Sequence, residues 1–150
     1  MPVLADTMRG VVIVVIDGDT VLFKPDHYHA SGRAFLKIRL ADIDAPEKDQ
    51  AYGDAATHAL TTLVLNQRVE VSPVATDVYG RTIARIQMGG VRVNAELVRR
   101  GLAWASTRQR DNSALMAVQR EARHAKRGLW EDVEPMPPWA WRRAQSASAS

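Results

Sequence analysis

Five short apolar runs within the first ninety residues constrain the fold of this chain most strongly. They cover residues 11–16, 20–24, 34–41, 68–75 and 82–88, and they either are rich in β-branched residues or alternate apolar and polar side chains. Strands this short cannot easily leave the edges of a sheet bare, and closing the sheet into a barrel removes those edges. The pattern therefore predicts a small closed barrel in an α+β, mainly β chain.

Three helices are predicted around these strands. The first covers Ala55–Asn66, where apolar residues recur at helical spacing and Asp54 is a plausible N-cap. The second runs from Asn94, as N-cap, to Gly101, as C-terminal stop, and the third from about residue 111 to residue 128. We expect all three to pack on the barrel.

The length of the chain, 150 residues, favours one domain, which we place at residues 1–133. Residues 134–150 have a different character and form an extension. Its prolines, at 135, 137 and 138, argue against a helix through residues 134–141. We expect Trp139 and Trp141 to lie back on the domain, and the Ala/Ser-rich residues 145–150 to be frayed.

Composition excludes several classes of protein. The chain contains no cysteine, so a disulfide framework, a thiolate metal site and a cysteine nucleophile are ruled out. No apolar run approaches the length of a membrane span, and residues 11–16 are too short for a signal-peptide core. As it stands the sequence predicts a cytoplasmic protein, or an exported one if a signal peptide has been removed.

Three separated segments place charged groups beside a Gly or Pro bend at the ends of the predicted strands. The segments are residues 17–20 (Asp-Gly-Asp-Thr), 38–47 (Ile-Arg-Leu-Ala-Asp-Ile-Asp-Ala-Pro-Glu) and 77–81 (Asp-Val-Tyr-Gly-Arg). Carboxylates that converge on one place repel each other and need a cation, whereas arginines in the same place need an anion. A divalent metal together with a phosphate ester meets both needs, which favours a metal-assisted phosphodiesterase.

Charge along the chain agrees with a polyanionic substrate. Residues 1–50 carry six basic and eight acidic side chains, whereas residues 99–150 carry ten basic and five acidic ones. Sixteen of the 20 basic residues are arginine, whose planar fork suits phosphate. Composition alone is equally consistent with a coding bias toward arginine on a solvated surface.

Taken together and in order, these motifs resemble a staphylococcal-nuclease-like (thermonuclease) domain over about residues 10–130. The resemblance also includes Tyr52-Gly53, the segment from Val93 to Ala103 and the Pro-Pro-Trp-Ala-Trp-Arg-Arg ending. It implies an OB-fold, that is, a five-stranded β-barrel with three packed helices. It further implies a calcium-dependent nuclease that cuts DNA and RNA and leaves 3′-phosphates. Separately, we expect a nucleic-acid partner, with single-stranded DNA or RNA favoured, and a monomer without an obligate protein partner.

The resemblance also implies a role for each charged residue. The calcium ligands would be Asp19, Asp44 and the backbone carbonyl of Ala45, and calcium is favoured over magnesium only through the family likeness. Glu47 would orient or deprotonate the attacking water.

The remaining roles concern the substrate. Arg39 and Arg81 would hold the phosphate oxygens and stabilise the phosphoryl transition state, with Arg81 nearer the departing 5′ oxygen. Tyr79 would contact the substrate beside them.

Four positions depart from the best-known member of the family. Ala45 replaces a threonine, which removes a hydroxyl near the metal and water. Val78 replaces a lysine, and Thr107 and Gln109 stand where that member stacks a nucleoside on tyrosines. We therefore expect catalysis with looser substrate binding. Trp104 could offer another surface, although burial beside Leu102 is the expected fate of its ring.

Two alternatives remain open at this point. Taken singly, Asp17 and Asp19 can be ordinary turn residues around Gly18, and Glu47 a solvated loop acid. Taken as a whole, the chain can be a non-catalytic OB-fold module that binds single-stranded nucleic acid. Retention of the three acids, Asp19, Asp44 and Glu47, and of both arginines argues against this second alternative.

Overall fold

The computed structural model describes residues 7–27, 33–106 and 112–149. The strands within these ranges are β1 (Met8–Asp17), β2 (Thr20–Pro25), β3 (Leu36–Leu40), β4 (Ile43–Asp44), β5 (Arg68–Thr76), β6 (Thr82–Met88), β7 (Val91–Arg92) and β8 (Trp104–Ala105). The helices are α1 (Gly53–Val64), α2 (Val93–Arg99), α3 (Ser113–His124) and α4 (Pro138–Ala149), with a 3₁₀ turn at Gly128–Glu131.

Five strands close into the predicted barrel. Their order is β3-β2-β1-β5-β6, and all neighbours in it are antiparallel. A parallel pairing of β3 with β6, which places Arg39 opposite Ile83, joins the two ends. The barrel, and with it the α+β OB-fold class, is confirmed. β7 extends β6, and β4 pairs separately with β8.

The core fills the barrel and continues under two helices. Its largest fully buried side chains alternate along the strands and recur on one face of α1 and α2; they include Phe23, Ile38, Leu40, Leu60, Ile86 and Leu97. Burial of apolar surface stabilises the fold by about 25 cal/mol per Å². The alternation is therefore the main determinant of which face of each strand points inward. The ends of the strands are left to carry polar residues.

The starts of two helices differ from the prediction. Tyr52, with φ of 68°, occupies the N-cap of α1, and Asp54 lies in the first helical turn instead. An acid in the first turn still stabilises the helix, because its negative charge lies near the positive end of the helix dipole. Asn94 lies within α2, after its N-cap Arg92, so the predicted N-cap was wrong. The predicted stop is confirmed, because the helix ends at Arg99 and Gly101, with φ of 73°, follows the C-cap Arg100. Tertiary hydrogen bonds account for the position of Asn94 inside the helix, because its buried side chain bonds to backbone groups of β6 and of Ala41.

The third helix is shorter than predicted. It ends at His124, because Lys126 and Gly128 both have positive φ and cannot continue a right-handed helix. Its predicted start, near Asp111, lies outside the described residues. Trp104 packs between Trp130 and Trp139, at ring-centroid distances of 4.6 and 5.4 Å, and does not line the cleft described below.

A fourth helix, α4, was not predicted. Pro138 is its first residue, and proline is well tolerated there because the first helical N–H groups have no intrahelical partner. The helix runs through residues 145–149, where composition predicts a frayed tail; whether these residues fray stays a prediction. The expectation that Trp139 lies back on the domain is confirmed, and the Gln50 side chain donates a 2.6 Å hydrogen bond to the Met136 carbonyl. The boundary at residue 133 stays a prediction. None of the described helices is both long enough and apolar enough to cross a bilayer.

Candidate active site

A cleft of about 730 Å³ lies where the β1–β2 turn, the β3–β4 corner, the β5–β6 loop and α4 meet. Twelve residues line it: Asp17, Asp19, Arg39, Ile43, Asp44, Glu47, Tyr79, Arg81, Ser106, Trp139, Arg142 and Arg143. All the side chains that the sequence singled out for metal, water and phosphate are among them. The barrel thus brings together residues that are more than sixty positions apart.

The β1–β2 turn places Asp19 at the floor of the cleft. The backbone N–H of Asp19 donates to Asp17 Oδ1 at 3.0 Å, so Asp17 shapes the turn, as the simpler interpretation expected. Asp19 is only 8% exposed, and its Oδ2 accepts a 2.8 Å hydrogen bond from the Ala45 N–H. The turn packs closely on α1, because a Cβ at Gly18 would lie 2.7 Å from that of Ala56.

The pKa of the Asp19 carboxyl is strongly perturbed in the protein. Burial raises its pKa to about 7, and the nearby Asp17 adds to the rise, whereas Arg39 and the Ala45 N–H act against it. A buried carboxyl of this kind keeps its negative charge best when a cation lies beside it.

Arg39 ties the acids together at the end of β3. Its Nη1 donates to the carbonyls of Leu40 and Ile43 at 2.6 and 2.8 Å, which fixes the corner that carries β4. Its Nη2 lies 3.4 Å from both Asp19 Oδ2 and Asp44 Oδ1. This single nitrogen therefore holds the two carboxylates around one small space.

The loop after β4 holds Glu47 by its backbone. The Glu47 N–H donates to Gln50 Oε1 at 3.1 Å, and its carbonyl accepts from the Gln50 N–H at 2.9 Å. Gly53 closes the same loop, since a Cβ there would lie only 2.0 Å from the Glu47 carbonyl oxygen. The contact described for Ala45 is the one made by its N–H, and a role for its carbonyl stays a prediction.

Arg81 reaches the cleft from the β5–β6 loop. Asp77 Oδ1 accepts from the N–H groups of Tyr79 and Arg81, and Asp77 Oδ2 accepts from Arg81 Nε at 2.7 Å. These bonds lower the pKa of Asp77 against the opposing effect of its desolvation. The Tyr79 ring lies 5.6 Å from the guanidinium carbon and is 81% exposed, and Val78 beside it is 93% exposed. The loop therefore presents a cation and an open aromatic face together.

The sequence reasoning missed the contribution of α4. Trp139, Arg142 and Arg143 share one helical face by their spacing and all line the cleft. Arg142 Nη2 lies 2.8 Å from Asp44 Oδ2, and its Nη1 lies 2.6 Å from Glu47 Oε1. The hydrogen bonds that Arg142 donates to Asp44 and, to a lesser degree, to Glu47 raise the pKa of Arg142 despite its partial burial. The adjacent arginines in the basic C-terminal part of the chain were the available signal.

Comparison with known proteins agrees with this architecture. A family model described as "Staphylococcal nuclease homologue" matches residues 37–132. An "Uncharacterized endonuclease" of Escherichia coli is 40% identical over 142 residues, which cover 94% of this chain and 89% of that protein. A "Micrococcal nuclease" of Shigella flexneri is 37% identical over 155 residues, with coverage of 96% and 85%. A "Staphylococcal-like nuclease CAN1" of Arabidopsis thaliana is 34% identical over 108 residues, with coverage of 72% and 33%.

The matched region begins within β3 and contains most of the cleft, including Asp44, Glu47 and Arg81. The relatives from E. coli and S. flexneri extend the similarity over almost the whole chain. Barrel, cleft and sequence similarity lead to one conclusion: the chain belongs to the family of staphylococcal nuclease homologues.

Proposed function

We propose that the protein is a metal-dependent nuclease that hydrolyses phosphodiester bonds of DNA, RNA or both. One observation carries this proposal: three carboxylates, Asp19, Asp44 and Glu47, share a single cleft with Arg39 and Arg81. A cation between the acids and a phosphate beside the arginines would satisfy the charges of both groups. The nuclease names of the relatives favour the same activity.

Calcium is the proposed cation, held by Asp19, Asp44 and the carbonyl of Ala45. The donor set fits a hard ion in type, because the carboxylates of Asp19 and Asp44 both lie 3.4 Å from the same Arg39 nitrogen and so face one small space. The described part of the chain has no cluster of three or more His, Cys, Asp or Glu side chains arranged to hold a metal ion, so side chains alone do not supply the ligand set. Carbonyl and water oxygens would complete the ligand shell. When bound, calcium polarises a phosphoryl oxygen and helps to neutralise charge that builds on phosphorus.

Glu47 is the proposed base for the attacking water. Its backbone is fixed at two atoms by Gln50, and its side chain faces the cleft beside Asp44. The water oxygen would form a bond to phosphorus while its proton passes to the Glu47 carboxylate. The bond from phosphorus to the 5′ oxygen would break, and that oxygen would take a proton from solvent, which leaves a 3′-phosphate and a 5′-hydroxyl.

Arg39 and Arg81 would bind the phosphate from two sides. Arg39 reaches it from the barrel floor, and Arg81 reaches it from the β5–β6 loop, where Asp77 orients the guanidinium. Positioned donors of this kind act where charge develops in the transition state. The exposed Tyr79 ring offers a surface for a base of a single strand. Thr107 and Gln109, where we expect weaker stacking, lie outside the described residues.

The proposal is tested by incubating end-labelled single-stranded DNA and RNA with the purified protein, in calcium or in EDTA. Glu47→Gln removes the base and keeps the shape, and Glu131→Gln, an exposed acid outside the cleft, is the matched control. We expect calcium-dependent cutting that is lost in Glu47→Gln and retained in Glu131→Gln, with 3′-phosphate ends on the products. Binding without cutting, identical in all three proteins, would instead identify a binding module.

We also propose that the enzyme acts as a monomer without an obligate protein partner. The cleft is assembled from one chain, and each proposed catalytic side chain comes from that chain. Sedimentation velocity at the protein concentration of the cleavage assay would test this, and a dimeric active species would contradict it.

A further inference from the structure

Arg142 lies in the cleft in a position that the proposed chemistry leaves unexplained. The helix that carries it is seated from two sides, by the edge contact of Trp139 with Trp104 and by the hydrogen bond from Gln50 to the Met136 carbonyl just before the helix. The side chain of Arg142 is 44% exposed, so it is open to the cleft rather than part of the core. A residue placed so specifically, and still open to solvent, is suited to contact a ligand.

The guanidinium of Arg142 donates hydrogen bonds to Asp44, a proposed metal ligand, and to Glu47, the proposed base for the water. Its two terminal nitrogens form a fork on both oxygens of Asp44, at 2.8 and 3.3 Å, and Nη1 also bonds to Glu47 at 2.6 Å. Asp44 Oδ1 is shared with Arg39 as well. Arg142 already engages both oxygens of Asp44, and its positive charge opposes the approach of a second cation to the same carboxylate. Arg142 and the cation therefore compete for Asp44.

Displacement from Asp44 would leave the guanidinium among other cations. Four carboxylates and four guanidinium groups line the cleft, and two of the four arginines, Arg142 and Arg143, come from α4. A divalent cation added to this balanced set makes the cleft electropositive. A phosphodiester is the ligand that such a cleft attracts, and the planar fork of arginine binds two phosphate oxygens at once.

We propose that Arg142 is a further substrate-binding residue, which is held on Asp44 and Glu47 in the free enzyme and turns to a substrate phosphate when the cation takes Asp44. The proposal rests on the proposed nuclease function. It makes α4 a wall of the substrate site and gives the unpredicted helix a purpose. It also makes cation and substrate bind cooperatively, because the cation releases the arginine that the substrate needs.

The first test measures calcium affinity without catalysis. Isothermal titration with calcium alone compares wild type with Arg142→Gln, Arg142→Lys and Arg9→Gln, the last being an exposed arginine outside the cleft that loses the same charge. Removal of the competitor should tighten calcium binding of Arg142→Gln by about three- to tenfold, the range of a partly exposed ion pair. Arg142→Lys keeps the charge but loses the fork, so its calcium affinity should lie between those of wild type and Arg142→Gln. Arg9→Gln should stay within about twofold of wild type. Unchanged or weaker calcium binding in Arg142→Gln would overturn the proposal.

The second test separates KM from kcat on single-stranded DNA at saturating calcium. Arg142→Gln should raise KM about tenfold with kcat within about threefold of wild type, since it removes one charged phosphate contact and no reacting group. Arg142→Lys should fall between the two. A KM equal to that of wild type, or faster cutting at low substrate, would mean that Arg142 only blocks the site and would refute the substrate role.

The two proposals fail in different ways. If wild type cuts neither DNA nor RNA, the nuclease function fails. Fluorescence anisotropy of an uncut labelled oligothymidylate in calcium then decides the role of Arg142, with weaker binding by Arg142→Gln expected and equal binding contradicting it. Far-ultraviolet circular dichroism shows whether α4 persists in Arg142→Gln. If it does not, Arg142→Lys alone decides, and a KM unchanged from wild type counts against the proposal.

Discussion

Replacement of Asn94 by alanine tests how the barrel holds the corner that carries Asp44. Asn94 is 7% exposed, and its side chain makes three hydrogen bonds to backbone groups of other elements. Nδ2 donates to the carbonyls of Ala41 and Ala84 at 2.9 and 3.2 Å, and Oδ1 accepts from the Ile86 N–H at 3.0 Å. The bond to Ala41 ties α2 to the residue at which the β3–β4 corner begins.

The size of the effect follows from these bonds. A hydrogen bond contributes roughly 1 kcal/mol net, and groups left buried and unpaired cost more, so Asn94→Ala should lower the free energy of unfolding by about 3 kcal/mol. The Ala84 carbonyl also accepts from the Ala41 N–H at 2.7 Å, which limits the penalty at that atom. For a domain of this size the loss corresponds to a fall in Tm of about 6–12 °C.

Urea unfolding, followed by tryptophan fluorescence, measures this loss directly. Asn94→Asp is the matched variant, because it keeps the shape and the acceptor toward Ile86 but turns an acceptor toward the carbonyls of Ala41 and Ala84. At neutral pH it should destabilise the fold at least as much as alanine does. A loss below about 1 kcal/mol in Asn94→Ala, or wild-type stability in Asn94→Asp, would refute the reasoning.

Three further predictions concern the site and its support. Gly53→Ala should nearly abolish cleavage, because its Cβ would displace the Glu47 carbonyl, whereas Gly90→Ala, with open space around it, should leave cleavage unchanged; activity in both equal to wild type would contradict this. Arg39→Ala and Arg81→Ala should each lower kcat by ~10²–10³, and a change below tenfold in single-turnover assays would remove that arginine from the mechanism. The hydrogen bond from Arg99, followed by that from Arg100, lowers the pKa of Glu96 to about 2. The ion pairs of Glu96 therefore stabilise the fold at any pH above the pKa that Glu96 has in the unfolded chain. This contribution is lost as pH falls through the lower pKa that Glu96 has in the folded protein. Glu96→Gln should accordingly lose stability at neutral pH and converge with wild type near pH 2, and parallel urea curves at the two pH values would show it.

Local rules were sufficient for the barrel strands and for most of the cleft. Alternation of apolar residues selects an inward face on each strand, and the charged residues placed at the bends then fall at the strand ends. This is why Asp19, Arg39, Asp44 and Arg81 could be expected at one end of the barrel. The start of α1 was missed because Tyr52 takes a left-handed conformation that tertiary packing, not propensity, selects.

The position of Asn94 shows the limit of capping rules. Asparagine before an apolar stretch predicts an N-cap, but the side chain is worth more as a bridge between α2, β6 and Ala41 than as a cap on its own helix. Such a bridge depends on residues that are eight to 53 positions away. Sequence spacing does not contain that information.

By itself, the sequence determined the five barrel strands, the three charged segments at their ends and the excess of arginine in the second half of the chain. Only the tertiary structure decided that α4 forms and where it lies. Pro138 permits a helix to start, but contacts with Trp104 and Gln50 hold that helix in place. Arg142 of the helix bonds to Asp44 and Glu47, which lie 98 and 95 residues earlier in the chain. Contacts over such a separation depend on how the barrel closes, and this is why the third arginine-bearing wall of the cleft could not be predicted from local pattern.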